Sequence, residues 1–285
     1  MGTYLIVGAG AIARRVYPLL PNAGRVFALC RDTQSMGYWR EQGTVPILGD
    51  LDNPRSLERL GGLASTVLHF APPTPSGPTD TRTQRLLCAL QGSKILPQRL
   101  VYISTTGVYG NCHGTWTDET GAARPETARA LRRANAEMQL RRFGRNTGCR
   151  ISILRVPGIY DAGRLPLDRL RRGDPLPDSN PWTNHIHATD LARAILAALH
   201  HGKPQRVYNT VDDEPLTVLQ FYTLLAQHFG LPVPTTLPFD QLKQHLSPMS
   251  LSFLSESRRL HNHRIKQELN LQWYYPNVRS FLERC

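Results

Sequence analysis

Gly8-Ala9-Gly10-Ala11-Ile12-Ala13 follows an apolar run, Thr3 to Val7, and opens a helical stretch from Ala11 to Leu20. Strand, glycine turn and helix start, in that order, can cradle the pyrophosphate of a dinucleotide. Gly8 permits a tight turn, Gly10 lets phosphates approach the backbone, and Ala13 is small enough for the helix to pack on the strand. The unpaired N–H groups at Ala11 and Ile12, with the positive end of the helix dipole, then face the anion. A turn that serves only strand–helix packing is the plainer alternative.

The second apolar run, Val26 to Cys30, ends in Arg31-Asp32. At this strand tip an acid bonds the adenine ribose 2′-hydroxyl, whereas an arginine accommodates a 2′-phosphate. Arg31 comes first, so NADP is expected ahead of NAD, with Asp32 as the competing feature. Arg14 and Arg15 either add to this pocket or are solvated. After the third run, Val45 to Leu48, Asp50 is placed to reach the adenine amino group, with Leu51 beside it; a turn or cap role for Asp50 is equally open. The fourth run, Thr66 to Ala71, leads into Pro72-Pro73-Thr74-Pro75-Ser76-Gly77. Ala71, Pro72 and Pro73 therefore stand at a strand's carboxyl end, where ligands bind in open α/β sheets.

The elements that must position these residues alternate along the chain. A helix is expected from Thr79 to Gln91, a strand from Arg99 to Ser104, a long helix from Glu126 to Phe143 and a strand from Arg150 to Arg155. Such alternation implies an α/β, doubly wound parallel sheet of Rossmann type. Past Val156-Pro157-Gly158 the alternation weakens. We expect residues 1–157 to form the nucleotide domain and 158–285 a smaller, mixed C-terminal substrate lobe, with 184–210 returning to the sheet.

The chain of 285 residues is 40% apolar and 20% charged, and carries a net charge of +12. No apolar run approaches the roughly twenty residues needed to cross a bilayer. With a first strand so close to Met1, a cytoplasmic protein without membrane contact is expected. The five cysteines lack Cys-x-x-Cys spacing, so reduced thiols are expected. Arginine supplies 30 of the 34 basic residues, scattered over helices rather than gathered in one tract. That distribution argues against a nucleic-acid footprint and for an attraction to anionic small molecules. No metal-ligand spacing is present.

Val101-Tyr102-Ile103-Ser104-Thr105-Thr106-Gly107-Val108-Tyr109-Gly110 resembles the fifth strand and active-site loop of extended short-chain dehydrogenases/reductases, the NAD-dependent epimerase/dehydratase family. Three other stretches agree: Leu154 to Tyr160, Asn184 to Ala192, and Leu260-His261-Asn262 through Tyr275-Pro276. The resemblance covers essentially the whole chain. It implies strand order 3-2-1-4-5-6-7, a small substrate lobe, and Val156, Pro157 and Gly158 beside the nicotinamide. It also places Thr105 at the family's catalytic Ser/Thr position, with Ser104 adjacent.

The family's Tyr-x-x-x-Lys pair falls on Arg129 and Arg133, since Arg133-Ala134-Asn135-Ala136-Glu137 matches its Lys-x-x-x-Glu. No shift repairs this, because no lysine lies between Lys94 and Lys203 and no tyrosine between Tyr109 and Tyr160. Arginine stays protonated and cannot act as acid or base. Arg133 could still bond nicotinamide-ribose hydroxyls, and Arg129, one turn earlier on the same face, could grip a carboxylate or phosphate; both could equally be solvated. Tyr109, Tyr160, His113 and His187 are the alternative proton donors. Tyr160, Arg164, Trp182 and Asn184 are candidate substrate-wall residues. Two functions follow: an NADP-dependent oxidoreductase acting on a small polar molecule, or an NADP(H)-binding regulatory protein with impaired catalysis. A monomer and a homodimer paired through the helix Glu126 to Phe143 are both compatible, although Arg132, Arg141 and Arg142 would charge that face.

Overall fold

Seven short apolar runs become the strands of one parallel sheet in the computed structural model, which describes residues 2–21, 24–244, 246 and 248–285. They are β1 (Tyr4–Val7), β2 (Val26–Cys30), β3 (Val45–Leu48), β4 (Thr66–His69), β5 (Arg99–Thr105), β6 (Arg150–Val156) and β7 (Arg206–Asn209). Their spatial order is β3-β2-β1-β4-β5-β6-β7. β1 and β4 are buried along their whole length. A parallel strand covered on both faces is apolar throughout rather than alternating, which is why these runs read as continuous.

The helices divide between the two faces. On one lie α1 (Ala11–Val16), α2 (Thr33–Glu41), a helix from Ala188 to His201 and another from His263 to Leu269, around a core that includes Ile6, Trp39, Leu154 and Ile195. On the other lie α3 (Thr81–Gln91) and α4 (Ala128–Thr147), over Leu5, Val67, Leu100 and Ile153. Helix α1 is shorter than its apolar pattern implies. Pro18 has no N–H to donate back to Arg14, and the chain tightens to a 3-10 turn at Tyr17–Leu19. Helix α4 runs on past Phe143 to Thr147. Thr127 caps its start by accepting from Ala130 N at 3.2 Å, and Gly148, at φ +76°, ends it in the left-handed conformation.

A separate core gathers Tyr160, Leu170, Phe221, Leu225, Phe281 and Leu282 from the C-terminal part of the chain. Residues 185–187 do not join the main sheet; they pair in parallel with Gly158–Tyr160. The 188–201 helix and β7 then lead back to the main sheet. The two sheet edges differ. Beyond β7, Arg264 donates to Val207 O at 3.2 Å, and Glu268 accepts from Arg206 and Tyr208. The β3 edge contains Pro46 and exposes Val45 and Leu48. All five cysteines are free thiols.

Candidate active site

The sheet order reverses between β1 and β4, and in open α/β sheets the ligand crevice lies at the carboxyl ends of strands at such a point. The two strand ends meet there. Phe70 N and Ala71 N both donate to Val7 O, at 2.7 and 3.1 Å. Gly8, at φ +95°, packs so tightly that a Cβ would stand 2.3 Å from Ala71 N. Gly10 is different: a Cβ there meets nothing within 4 Å. One glycine is demanded by the fold, and the other keeps a space open. Gly10 begins α1 without a side-chain cap, and no acid lies in the first turn. The N–H groups of Ala11, Ile12 and Ala13 therefore have no intrahelical acceptor. These features fit a dinucleotide pyrophosphate.

At the tip of β2 the two candidate residues are put to different uses. Asp32 caps α2, its Oδ1 accepting from Ser35 N at 2.7 Å, and that bond holds its carboxyl below the usual range. Arg31 is exposed and makes no ion pair among the described residues. Arg14 and Arg15 do not join it: the Arg14 guanidinium lies 4.0 Å from the Tyr38 ring centroid, and Arg15 pairs with Asp161 at 2.9 Å. Asp50 turns its Oδ1 toward Asp52 N at 2.9 Å, making a turn of its own, and Leu51 is buried. Pro72 is exposed and Pro73 buried.

Beside this crevice stand the residues aligned with the catalytic positions. Thr105 Oγ1 accepts from Gly107 N at 3.2 Å and caps the turn Thr106–Tyr109, and its hydroxyl donates to no acceptor among the described residues. Ser104 is buried and donates to Glu137 Oε1 at 2.6 Å. Arg133 is buried, and its Nη1 contacts Ile103 O at 2.8 Å, the Tyr102 hydroxyl at 2.9 Å and Ala71 O at 3.3 Å. It therefore ties together the carboxyl ends of β4 and β5. Arg129, one turn earlier, is exposed and lies 5.8 Å from the Phe253 ring. Arg132 leaves the outer helix face and donates to Gly77 O at 2.9 Å, so it does not charge that face.

Several expected roles are corrected by burial. Tyr109 is not free to move a proton: its hydroxyl donates to Asn209 Oδ1 at 2.7 Å, and burial pushes its phenol up to about 12. Tyr160 lies inside the separate C-terminal core, among His187 and Phe281, rather than on a substrate wall. Asn184 is likewise internal, donating to Arg258 O at 3.0 Å and accepting from Leu260 N at 3.0 Å. His187 Nδ1 accepts from Thr189 N and caps the 188–201 helix. Arg164, His113, Gly10 and Gly158 are exposed, Pro157 and Trp182 half-buried, and Val156 buried.

One network was not anticipated. Arg155, at the end of β6, donates to both oxygens of Glu137, at 3.1 and 2.8 Å, and lies 4.6 Å over the Tyr109 ring. Burial alone would lower its affinity for protons; the Glu137 bonds outweigh that and raise it. An arginine closing the apolar run Ile151 to Leu154 was the available signal, because a charge in a buried strand calls for a partner.

A doubly wound sheet with a glycine turn at its switch point defines an NAD(P)-binding Rossmann protein. The model of the NAD dependent epimerase/dehydratase family matches residues 4–210, and the chain belongs to that family. It is 27% identical over 216 residues to Protein YeeZ of Escherichia coli, covering 75% of this chain and 73% of that one. It is 26% identical over 260 residues to a 4-hydroxy-2-methyl-3-oxo-4-farnesyl-3,4-dihydroquinoline-1-oxide ketoreductase of Stigmatella aurantiaca, covering 84% and 77%. Among solved structures, a functionally unknown conserved protein from Silicibacter pomeroyi superimposes with TM-score 0.78 at 30% identity, over 99% of this chain and 97% of that one. Among the described residues no cluster of metal-ligating side chains occurs, and no helix is long and apolar enough to cross a membrane.

Proposed function

We propose that this protein is an NADP-binding, epimerase/dehydratase-like oxidoreductase acting on a small polar molecule, with arginines at the positions of the family's tyrosine–lysine pair. The observation that carries the cofactor preference is the division of labour at β2: Asp32 is spent as the cap of α2 while Arg31 is exposed and in no ion pair among the described residues. An acid engaged with Ser35 N competes poorly for a ribose hydroxyl, and a free guanidinium suits a 2′-phosphate. Gly8, Gly10 and the first N–H groups of α1 would hold the pyrophosphate, and Ala71, Ser104, Arg133, Val156 and Gly158 would border the rest of the cofactor.

The nicotinamide, when bound, supplies hydride chemistry. The Thr105 hydroxyl is suited to donate to a substrate carbonyl oxygen, and Arg133 adds fixed positive potential where negative charge develops. Neither arginine can exchange a proton, so the balancing proton comes from solvent. The resemblance to a ketoreductase supports carbonyl reduction as the reaction class. A second reading, an NADP(H)-binding regulator without turnover, is favoured by one observation: Tyr109, the nearby tyrosine, has its hydroxyl committed to Asn209.

Calorimetric titration of nucleotide-free protein with NADPH and NADH tests the cofactor. Arg31→Ala should weaken NADPH at least tenfold and leave NADH little changed; equal losses for both, or no binding of either, would refute the reading. Substrate-dependent NADPH oxidation that Thr105→Val abolishes separates the enzyme from the regulator.

A further inference from the structure

Arg129, Arg132 and Arg133 share one face of the first turns of α4. A helix begins with the positive end of its dipole, where acids are favourable and cations are not, yet no acid lies in the first turn of α4. Arg132 is 8% exposed and Arg133 6%. Their partners are neutral: Gly77 O for the first, and Ile103 O, Ala71 O and the Tyr102 hydroxyl for the second. Such bonds fix direction without forming an ion pair. The Nε atoms of both side chains are sealed from solvent and have no hydrogen-bond partner among the described residues. Glu137 is bonded to Arg155, Glu256 to Arg258 and Glu126 to Asn111 N, while the buried Asp80, whose charge acts on His69 together with that of Arg133, accepts from Thr74 N, Arg82 N and Thr83 Oγ1 and pairs with none of the three arginines. No ion pair among the described residues includes any of the three arginines. Burying guanidinium without a counter-charge is costly, and arginine cannot relieve it by losing a proton.

The cofactor's 2′-phosphate does not meet this need. Arg31 closes β2 and Arg133 bonds the end of β5, three strand spacings away, roughly 14 Å at the usual interstrand distance. We infer that Arg129, Arg132 and Arg133 form an oxyanion pocket that receives a carboxylate or phosphate group of the substrate. This rests on the oxidoreductase reading and narrows its small polar substrate to an anionic one. Arg129 offers an open, two-pronged fork to the anion, and the two buried arginines form its fixed wall.

Nucleotide-free protein is titrated calorimetrically at low ionic strength with inorganic phosphate and, separately, malonate. The wild type should bind at least one of them at a single saturable site. Arg129→Gln should weaken that binding at least tenfold, Arg129→Lys should lie between, and Arg145→Gln should match the wild type. Preference for phosphate identifies a phosphoryl group, and preference for malonate a carboxylate. Unchanged affinity in Arg129→Gln, or no saturable binding of either probe, overturns the pocket. So does an equal loss of NADPH affinity in Arg129→Gln, since the arginines would then serve the cofactor. Anion binding without any dinucleotide binding would uphold the pocket and sink the oxidoreductase reading; dinucleotide binding without anion binding does the reverse.

Discussion

Arg155 and Arg133 are both buried beside α4, and the fold treats them oppositely. Arg155 has a carboxylate against its fork, with Ser104 bonded to the same acid. Arg133 has carbonyls and a phenol against its fork and no ion pair among the described residues. Where a guanidinium serves the architecture, the chain supplies the balancing anion from within. Where it borders the crevice, the balance is left open to whatever enters. The contrast lies along a single helix, because Glu137 follows Arg133 by one turn.

The largest effect should come from breaking the satisfied pair. Glu137→Gln leaves Arg155 buried without its anion, and urea unfolding should show a loss of about 3–5 kcal/mol. Replacing both, as Glu137→Leu with Arg155→Met, should recover most of it. A loss under about 1 kcal/mol for Glu137→Gln would erase the contrast.

Histidine sharpens it next, because imidazole can escape a buried charge by shedding its proton. Burial, opposed by Asp80 and aided by Arg133, pushes His69 down to about 4; burial alone takes His185 to about 3. The unfolded chain, with histidine near 6.5, binds more protons below that pH. The stability from these neutral imidazoles is therefore full above pH 6.5 and is lost as pH falls toward 4. His185→Phe, beside the Phe221 ring it already stacks on at 4.2 Å, should flatten that decline in unfolding free energy. Parallel pH curves for variant and wild type would contradict the assignment.

The glycine turn gives a smaller, neutral counterpart. Gly8→Ala meets both the positive φ and the Ala71 backbone, and should cost about 1–3 kcal/mol with loss of dinucleotide binding. Gly10→Ala should unfold like the wild type yet bind NADPH at least tenfold more weakly. Equal stability of the two variants would mean that the turn tolerates side chains at either position.

Smallest of all, Arg129→Gln should stabilise the ligand-free protein by about 0.3–1 kcal/mol, by removing a cation from the positive end of a helix. A lower melting temperature in that variant would mean that the contact of Arg129 with the Phe253 ring outweighs the cost of its position at the helix start.

Six of the seven strands were legible because each is a short apolar run bounded by turn residues, and the bounds of β2 and β3 match the expectation residue for residue. The glycine turn was legible because its needs are local. What escaped the sequence depends on distant partners. Nothing near Tyr109 shows that its hydroxyl will meet Asn209, a hundred residues along. Asn184 looked like a wall residue because its ties, to Arg258 and Leu260, come from the far end of the chain. Tyr160 sits on a strand whose inward side is set only when the 185–187 segment pairs with it. Asp32 was ambiguous until α2 began at Thr33 and claimed its carboxylate.

The guarded rims of the sheet bear on how copies of this chain can meet. A neighbour seeking to extend the sheet past β7 would have to displace the 263–269 helix with its Arg264 and Glu268 bonds. Past β3 it would find a strand of four residues whose Pro46 has no amide hydrogen to share. Ladder growth is thus discouraged at both ends, and self-association of the folded protein is steered toward helix faces, where contacts are made by side chains and can be reversed without unravelling a strand.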